Sequence, residues 1–245
     1  MRSKPTYCFL GDSITDGIGT SKRYIEYISE WTGATTYGFG VNGAESISLL
    51  SQLDRMEQAV DAQFDILFVF IGTNDFYSGI PIGTFFTEHT ENVPCNRDSN
   101  HHDTEFAVRK KREFVMDDST FCGRLNLVLS RIRKQYPDKR IIFMTPLHRA
   151  YAYFGGNNIQ PNELYANRAG CYFDEYIQAE RTAADIWSVE LIDLYRESGL
   201  FPLFDESASL YFSNKETDRL HPNAEGHRKI AETILRNLSS VSPEN

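Results

Sequence analysis

The stretch Tyr7-Cys8-Phe9-Leu10-Gly11-Asp12-Ser13-Ile14-Thr15-Asp16 decides the fold. Its first half is short, lacks polar alternation and ends on a Gly11-Asp12 turn, the pattern of a strand buried on both faces of a parallel sheet. Such a strand holds Ser13 at the carboxyl edge of the sheet, where open α/β folds bind their ligands. The runs Ile66 to Ile71 and Arg140 to Met144 repeat the pattern, and Thr35 to Phe39 and Val189 to Leu194 read as weaker strands of the same sheet.

Helical periodicity fills the intervals, over Ser21 to Thr32, Ser46 to Ala62, Ser119 to Tyr136, Asn162 to Ala184 and Asn223 to Leu238. Ser46, Ser119 and Asn223 stand where N-caps are expected, since their side chains accept from free helix N–H groups. The alternation βαβα predicts a three-layer α/β/α domain, a doubly wound parallel sheet of about five strands with helices on both faces. One segment breaks the rhythm. Residues Phe76 to Asp118 are far too long for a βα connection, and the β-rich segments Thr84 to Thr90 and Glu105 to Phe114, joined by polar Asn96 to Asp103, predict a hairpin-like insertion after the third strand. Attached beside the Ile66 to Ile71 strand, it is expected to be a wall or lid of the site, or a dimerisation arm. The whole chain, 1–245, reads as a single domain carrying this insertion at about 76–118.

Composition excludes several classes. A formal charge of −9 opposes nucleic-acid binding, and the one dense basic run, Arg109-Lys-Lys-Arg112, reads as a solvated strand face. The cysteines Cys8, Cys95, Cys122 and Cys171 lack the close spacing of a zinc site and read as free buried thiols. His101-His102-Asp103 has no third spaced ligand and reads as a solvated loop, so no metal site is expected. No apolar run approaches a membrane span, and Met1-Arg-Ser-Lys-Pro leads into the first strand without a signal-peptide core. The expectation is a cytoplasmic protein without stable membrane association, or a secreted or periplasmic one if a leader was removed. Nothing in the sequence sets an oligomeric state.

In a parallel sheet the strand-to-helix turns open on one edge. That edge collects Gly11-Asp-Ser13, Gly40-Val-Asn-Gly43, Gly72-Thr-Asn-Asp75 and the loop carrying Asp218 and His221. A serine hydroxyl becomes a nucleophile only when a base takes its proton and a third group orients that base; His221 and Asp218 are the residues of the right type. Taken singly, Ser13 reads as a helix N-cap, Asn74-Asp75 as a turn, and Asp218-x-x-His221 as a turn before a helix capped by Asn223. Their joint occurrence on one edge points to an enzyme.

In order and spacing, over residues 7 to 227, these segments resemble the four sequence blocks of the SGNH hydrolases, the GDSL esterase and lipase family, whose fold is flavodoxin-like. The resemblance implies Ser13 as nucleophile, His221 as base and Asp218 as the group that orients it. It implies an oxyanion hole of the Ser13 and Gly43 backbone N–H groups and the Asn74 amide. Gly38, Gly40 and Gly43 are all open to the second of these roles, and Gly43 is chosen because it stands just before the helix starting near Ser46. Asp12 and Asp16 are expected to cap the Ser13 turn, Asp75 to brace Asn74 or contact substrate, and His148, Arg149 and Tyr151, with Tyr153 and Phe154, to line the acyl or sugar pocket. His227 reads as a surface residue.

The implied activity is cofactor-free, serine-dependent hydrolysis of a carboxylic ester through an acyl-enzyme, on a small ester or an O-acetylated carbohydrate. Lipase, lysophospholipase and thioesterase activities are the alternatives within the family. A non-catalytic glycan-binding protein, or a nucleotide-binding one with Ser13 and Thr15 on phosphate, is the alternative outside it. The second would set acids Asp12 and Asp16 beside an anion and would leave Asn74 and His221 unused.

Overall fold

The computed structural model describes residues 4–97 and 104–239. From the N-terminus the chain runs through β1 (Thr6–Gly11), α1 (Ser13–Asp16), α2 (Tyr24–Thr32), β2 (Thr35–Gly38), a 3-10 turn at Ser46–Ser48, α3 (Leu49–Val60), β3 (Ile66–Phe70) and α4 (Thr73–Tyr77). The hairpin β4 (Phe86–Arg97) and β5 (Thr104–Phe114) follows, then α5 (Phe121–Gln135), β6 (Arg140–Met144), β7 (Ala152–Tyr153), β8 (Ile159–Gln160), α6 (Phe173–Trp187), β9 (Glu190–Ile192), α7 (Leu194–Glu197), α8 (Asp205–Tyr211), β10 (Phe212–Asn214), β11 (Asp218–Pro222) and α9 (Ala224–Ser239).

The five strands β2-β1-β3-β6-β9 lie in that order and pair in parallel. The chain leaves β1 for β2 on one side and then crosses to β3 on the other, so the strand order switches direction between β1 and β3, the position where doubly wound sheets open a crevice. Alternate residues of each strand enter opposite layers. Cys8, Leu10, Leu67, Val69 and Phe143 pack under α3, α5 and α6. Phe9, Phe68, Phe70 and Ile142 pack under α2 and α9, with the Phe9 and Phe68 rings stacked at 4.6 Å. Every residue of β3 is buried. A second sheet, β10-β11-β7-β8, lies beyond the edge and carries Asp218 and His221 on β11, so these two residues sit on a short strand rather than a loop.

Several boundaries move for local reasons. The helix expected from Asn162 begins only at Phe173, because Asn162 Oδ1 accepts from the Leu164 N–H and Asn167 Oδ1 from those of Ala169 and Cys171. These side-chain turns compete with helix. Thr120 rather than Ser119 caps α5, its hydroxyl accepting from Gly123 N–H at 3.2 Å. Asn223 does cap α9, accepting from Gly226 N–H at 3.1 Å. Of the cysteines, Cys8 and Cys122 are buried, and burial pushes both thiols up to about 12; Cys95 is exposed and Cys171 half-buried. The basic run lies on β5, where Lys111 and Arg112 pair with Glu91 and Glu88 of β4. His101, His102 and Asp103 lie outside the described residues. Among the described residues no helix is long and apolar enough to cross a membrane.

The insertion forms the expected hairpin, with β4 reaching Arg97. Its base is fixed to α5 and α6: Asn126 Nδ2 donates to the carbonyls of Phe85 and Val115, Phe114 stacks on Trp187 at 4.6 Å, and Trp187 Nε1 donates to Asn126 Oδ1.

His227 is buried, contrary to its surface reading. Its Nδ1 accepts the Tyr24 N–H at 3.1 Å, satisfying an open donor at the start of α2, and its ring stacks on Tyr24. Burial, then the charge of His221, pushes its pKa down to about 3, against the smaller opposing effect of Glu26. An unfolded histidine titrates near ~6.5, so between these values the unfolded chain binds the extra proton and stability falls as pH drops, by at most about 1.4 kcal/mol per pH unit. Urea unfolding at pH 7, 5.5 and 4 is expected to show a steeper loss in the wild type than in His227→Gln; parallel losses would contradict this account.

Candidate active site

Ser13 opens α1 at the end of β1, and the turn is fixed by its neighbours. Asp12 Oδ1 accepts the Ile14 N–H at 3.0 Å as N-cap, while the Ser13 carbonyl accepts from Gly17 and Ile18 N–H groups. Asp12 is buried, and burial pushes its carboxyl up to about 6 against the Ile14 hydrogen bond. Asp16 is exposed. Thr15 Oγ1 bonds Tyr24 Oη at 2.9 Å, tying α1 to α2.

His221 Nε2 stands 2.9 Å from Ser13 Oγ, and His221 Nδ1 stands 3.0 Å from Asp218 Oδ2. The other oxygen, Asp218 Oδ1, accepts the backbone N–H groups of Leu220 and His221 at 3.2 and 3.0 Å. The carboxylate is thus clamped by its own strand, and one imidazole spans carboxylate and hydroxyl. This arrangement can take a proton from the hydroxyl while the carboxylate fixes the tautomer.

Ser13 and His221 face a cleft of about 380 Å³, to which Gly43 and Asn74 also contribute. Gly43 adopts φ +76°, a conformation other residues resist. Gly40 is packed against the Ser13 turn instead: a Cβ there would come within 2.7 Å of Asp16 N and 2.9 Å of Asp12 O. Of the two glycines, Gly43 lines the cleft and Gly40 does not. Asn74 Nδ2 donates one hydrogen to Ala44 O at 2.9 Å, which leaves its second amide hydrogen for the cleft.

Asp75 is turned away from the cleft. Its carboxylate accepts from Ser46 N, Ser46 Oγ and Arg124 Nη1 at 2.7, 2.7 and 3.0 Å, and Arg124 also reaches Glu45 at 2.7 Å. It braces the segment after Gly43 rather than a substrate. His148 is also diverted, to Glu163 at 2.6 Å and against the Tyr195 ring, and neither it nor Tyr151 lines the cleft. Arg149 is buried behind Gln160. Phe154 does line it, with its ring 5.2 Å from that of His221.

The family model described as GDSL-like Lipase/Acylhydrolase matches residues 9–229, the span that holds all of these residues. The chain belongs to this family. Solved structures share the fold across its full length. A protein from Lactobacillus plantarum is 24% identical, with 99% of this chain and 100% of that one covered and a TM-score of 0.74. A possible lipase from Chitinophaga pinensis is 21% identical, over 96% and 98%, at 0.67. An acetylxylan esterase from Geobacillus stearothermophilus is 16% identical, over 97% and 96%, at 0.57. No curated protein sequence matches the chain.

Three features of this family member emerge only from the structure. No described hairpin residue lines the cleft; its wall comes from Asn158, Gln160 and Phe154, in the β7–β8 region, and from Tyr77 and Ser78. Tyr77 and Ser78 open the 76–118 insertion, so its first residues contribute to the wall while the described strands β4 and β5 do not. Asn42 joins the lining beside Gly43, and the Gly40-Val-Asn-Gly43 block could have signalled it. Gln52 of α3 pairs with the end of β1 through both its amide groups, accepting from Gly11 N–H at 2.9 Å and donating to Gly11 O at 2.8 Å. The Gly11 carbonyl has Val41 N–H as a second partner, so Gln52→Met strands chiefly the N–H, and the expected loss is about 1–3 kcal/mol. Urea unfolding of the variant measures it; unchanged stability would show that Gln52 does not support the turn.

Proposed function

We propose that the protein hydrolyses carboxylic esters through a Ser13 acyl-enzyme. The observation that carries this reading is the continuous hydrogen-bond chain Ser13 Oγ to His221 to Asp218, at 2.9 and 3.0 Å, opening into a cleft. His221 removes the Ser13 proton as the hydroxyl oxygen attacks the ester carbonyl, and returns it to the leaving alcohol. Water then attacks the acyl carbon while giving a proton to the same imidazole, the bond from Ser13 Oγ to the acyl carbon breaks, and the imidazole returns the proton to Oγ as the acid leaves. Asp218 holds the ring with its free nitrogen toward Ser13. Negative charge on the carbonyl oxygen falls to the Ser13 and Gly43 N–H groups and the free amide hydrogen of Asn74.

The preferred substrate is a small ester or an O-acetylated carbohydrate. Support comes from the polar side chains of the lining, Asn42, Asn74, Ser78, Asn158 and Gln160, which stand among Ile18, Tyr77, Phe154 and Leu220 and can hydrogen-bond a hydroxyl-rich group. The acetylxylan esterase of similar fold is consistent with it.

Hydrolysis of p-nitrophenyl acetate, butyrate and octanoate is the test. The acetate is expected to react fastest, and Ser13→Ala, while still folded, to lose at least about 10⁴-fold in kcat. Asn74→Ala is expected to lose about 10²–10³-fold. A folded Ser13→Ala protein with wild-type turnover would overturn the reading.

A further inference from the structure

A second cavity, of about 160 Å³, adjoins the cleft, and Tyr77 lines both. The polar residues between them are linked. Tyr77 Oη donates to Asn158 Oδ1 at 3.2 Å, Gln160 Nε2 donates to the same atom at 3.3 Å, and Gln160 Oε1 accepts from Arg149 Nη2 at 2.7 Å. Asn158 and Gln160 line the cleft, while Arg149 lines the cavity.

Charge in this cavity is one-sided. Arg149 and Arg168 line it and no carboxylate does, in a chain that carries a formal charge of −9. Arg149 is only 1% exposed. Its guanidinium has Thr73 O at 3.4 Å and Gln160 as acceptors, its Nε has no hydrogen-bond partner, and no carboxylate pairs with it among the described residues. Glu163, whose charge acts on it, gives its oxygens to His148, to the Arg149 backbone N–H and to Tyr195. Phe76 and Phe173 lie 5.3 and 6.0 Å from the guanidinium carbon, a partial compensation through the ring faces. Burial holds the Arg149 pKa down to about 10. Arg168 is exposed and its stem crosses Gly79, where a Cβ would meet its Cγ at 2.3 Å.

A purely structural Arg149, held by Gln160 Oε1 at 2.7 Å and Thr73 O at 3.4 Å, would leave its Nε, the second arginine and the missing acid unexplained. Buried charges are normally paired, and guanidinium forks match carboxylates. We propose that this cavity is a subsite for a carboxylate carried by the substrate, so that the preferred ester is anionic. The inference rests on the ester-hydrolase reading of the Ser13 cleft. The carboxylate belongs either to the acyl part, as in a half-ester of a short dicarboxylic acid, or to the alcohol part, as in an acetylated uronic acid. Since a water claims about 30 Å³ of liquid, the cavity admits a carboxylate with a short carbon stem.

Two matched pairs test it: p-nitrophenyl hydrogen glutarate against p-nitrophenyl butyrate, and acetylated methyl glucuronoside against acetylated methyl glucoside. The kcat/KM ratio, anionic over neutral, is expected to exceed about tenfold in one pair, which identifies the source, and to fall at least about tenfold in Arg168→Gln. Calorimetric titration of the wild-type protein with glutarate and with glucuronate reads the subsite without turnover, and binding by at least one, weakened in Arg168→Gln, is expected. A ratio near one in both pairs, or a ratio that Arg168→Gln leaves unchanged, would overturn the subsite while leaving ester hydrolysis standing. If no ester is hydrolysed, the ester reading fails and the titration alone decides: binding that Arg168→Gln weakens keeps the carboxylate site, and its absence removes it.

Discussion

Five parallel strands that end on one edge constrain everything the molecule does. The turns after β1, β2 and β3 deliver Ser13, Gly43 and Asn74 to one cleft, and the stretch after β6 closes its far side with Phe154, Asn158 and Gln160. The imidazole of the site comes from outside the parallel sheet. In the small antiparallel sheet, β11 carries Asp218 and His221 three residues apart and sets the imidazole 2.9 Å from Ser13 Oγ. The strand that presents the ring also binds the carboxylate through its own N–H groups, so one strand holds both side chains.

Holding this edge in place requires polar groups in the interior, and each has its own solution. Asp75 meets a serine and an arginine, yet burial still keeps its pKa above the ordinary value. That cluster of Ser46, Asp75, Arg124 and Glu45 anchors the chain just after Gly43 to α4 and α5, so it fixes where the Gly43 N–H points. Behind Gly72 the Glu180 carboxyl has no hydrogen-bond partner among the described residues, and burial together with Asp75, Asp12 and Asp193 pushes its pKa well above the usual range. Gln52 serves the Gly11 backbone without charge at all.

Much of this was legible in the sequence, and the reasons are local. Unbroken apolar runs marked β1, β3 and β6 because a strand covered on both faces has no polar side to show. The four site segments were visible because each pairs a turn residue with a side chain of defined chemistry. Other features depend on partners distant in sequence. His227 looks like a surface residue of an amphipathic helix until the α2 N–H that it caps is packed against it. Asp75 adjoins Asn74 in sequence, yet successive residues of a helix turn point apart, so one faces the cleft and the other Arg124. Among the described residues of the insertion only the first ones, Tyr77 and Ser78, reach the cleft, for a similar reason. Chain position put the insertion beside Asn74, whereas contacts of Phe114 and Asn126 pull its base to the outer helices.

The central claim is that His221 activates Ser13 in the resting protein. Labelling with a fluorophosphonate, located by peptide mass spectrometry, tests it most directly, because phosphonylation needs the activated hydroxyl and no knowledge of the natural ester. The account predicts a single adduct on Ser13, formed rapidly in the wild type and lost in a folded His221→Ala variant. A wild-type protein that takes no label on Ser13, or a His221→Ala variant labelled at the same rate, would contradict it.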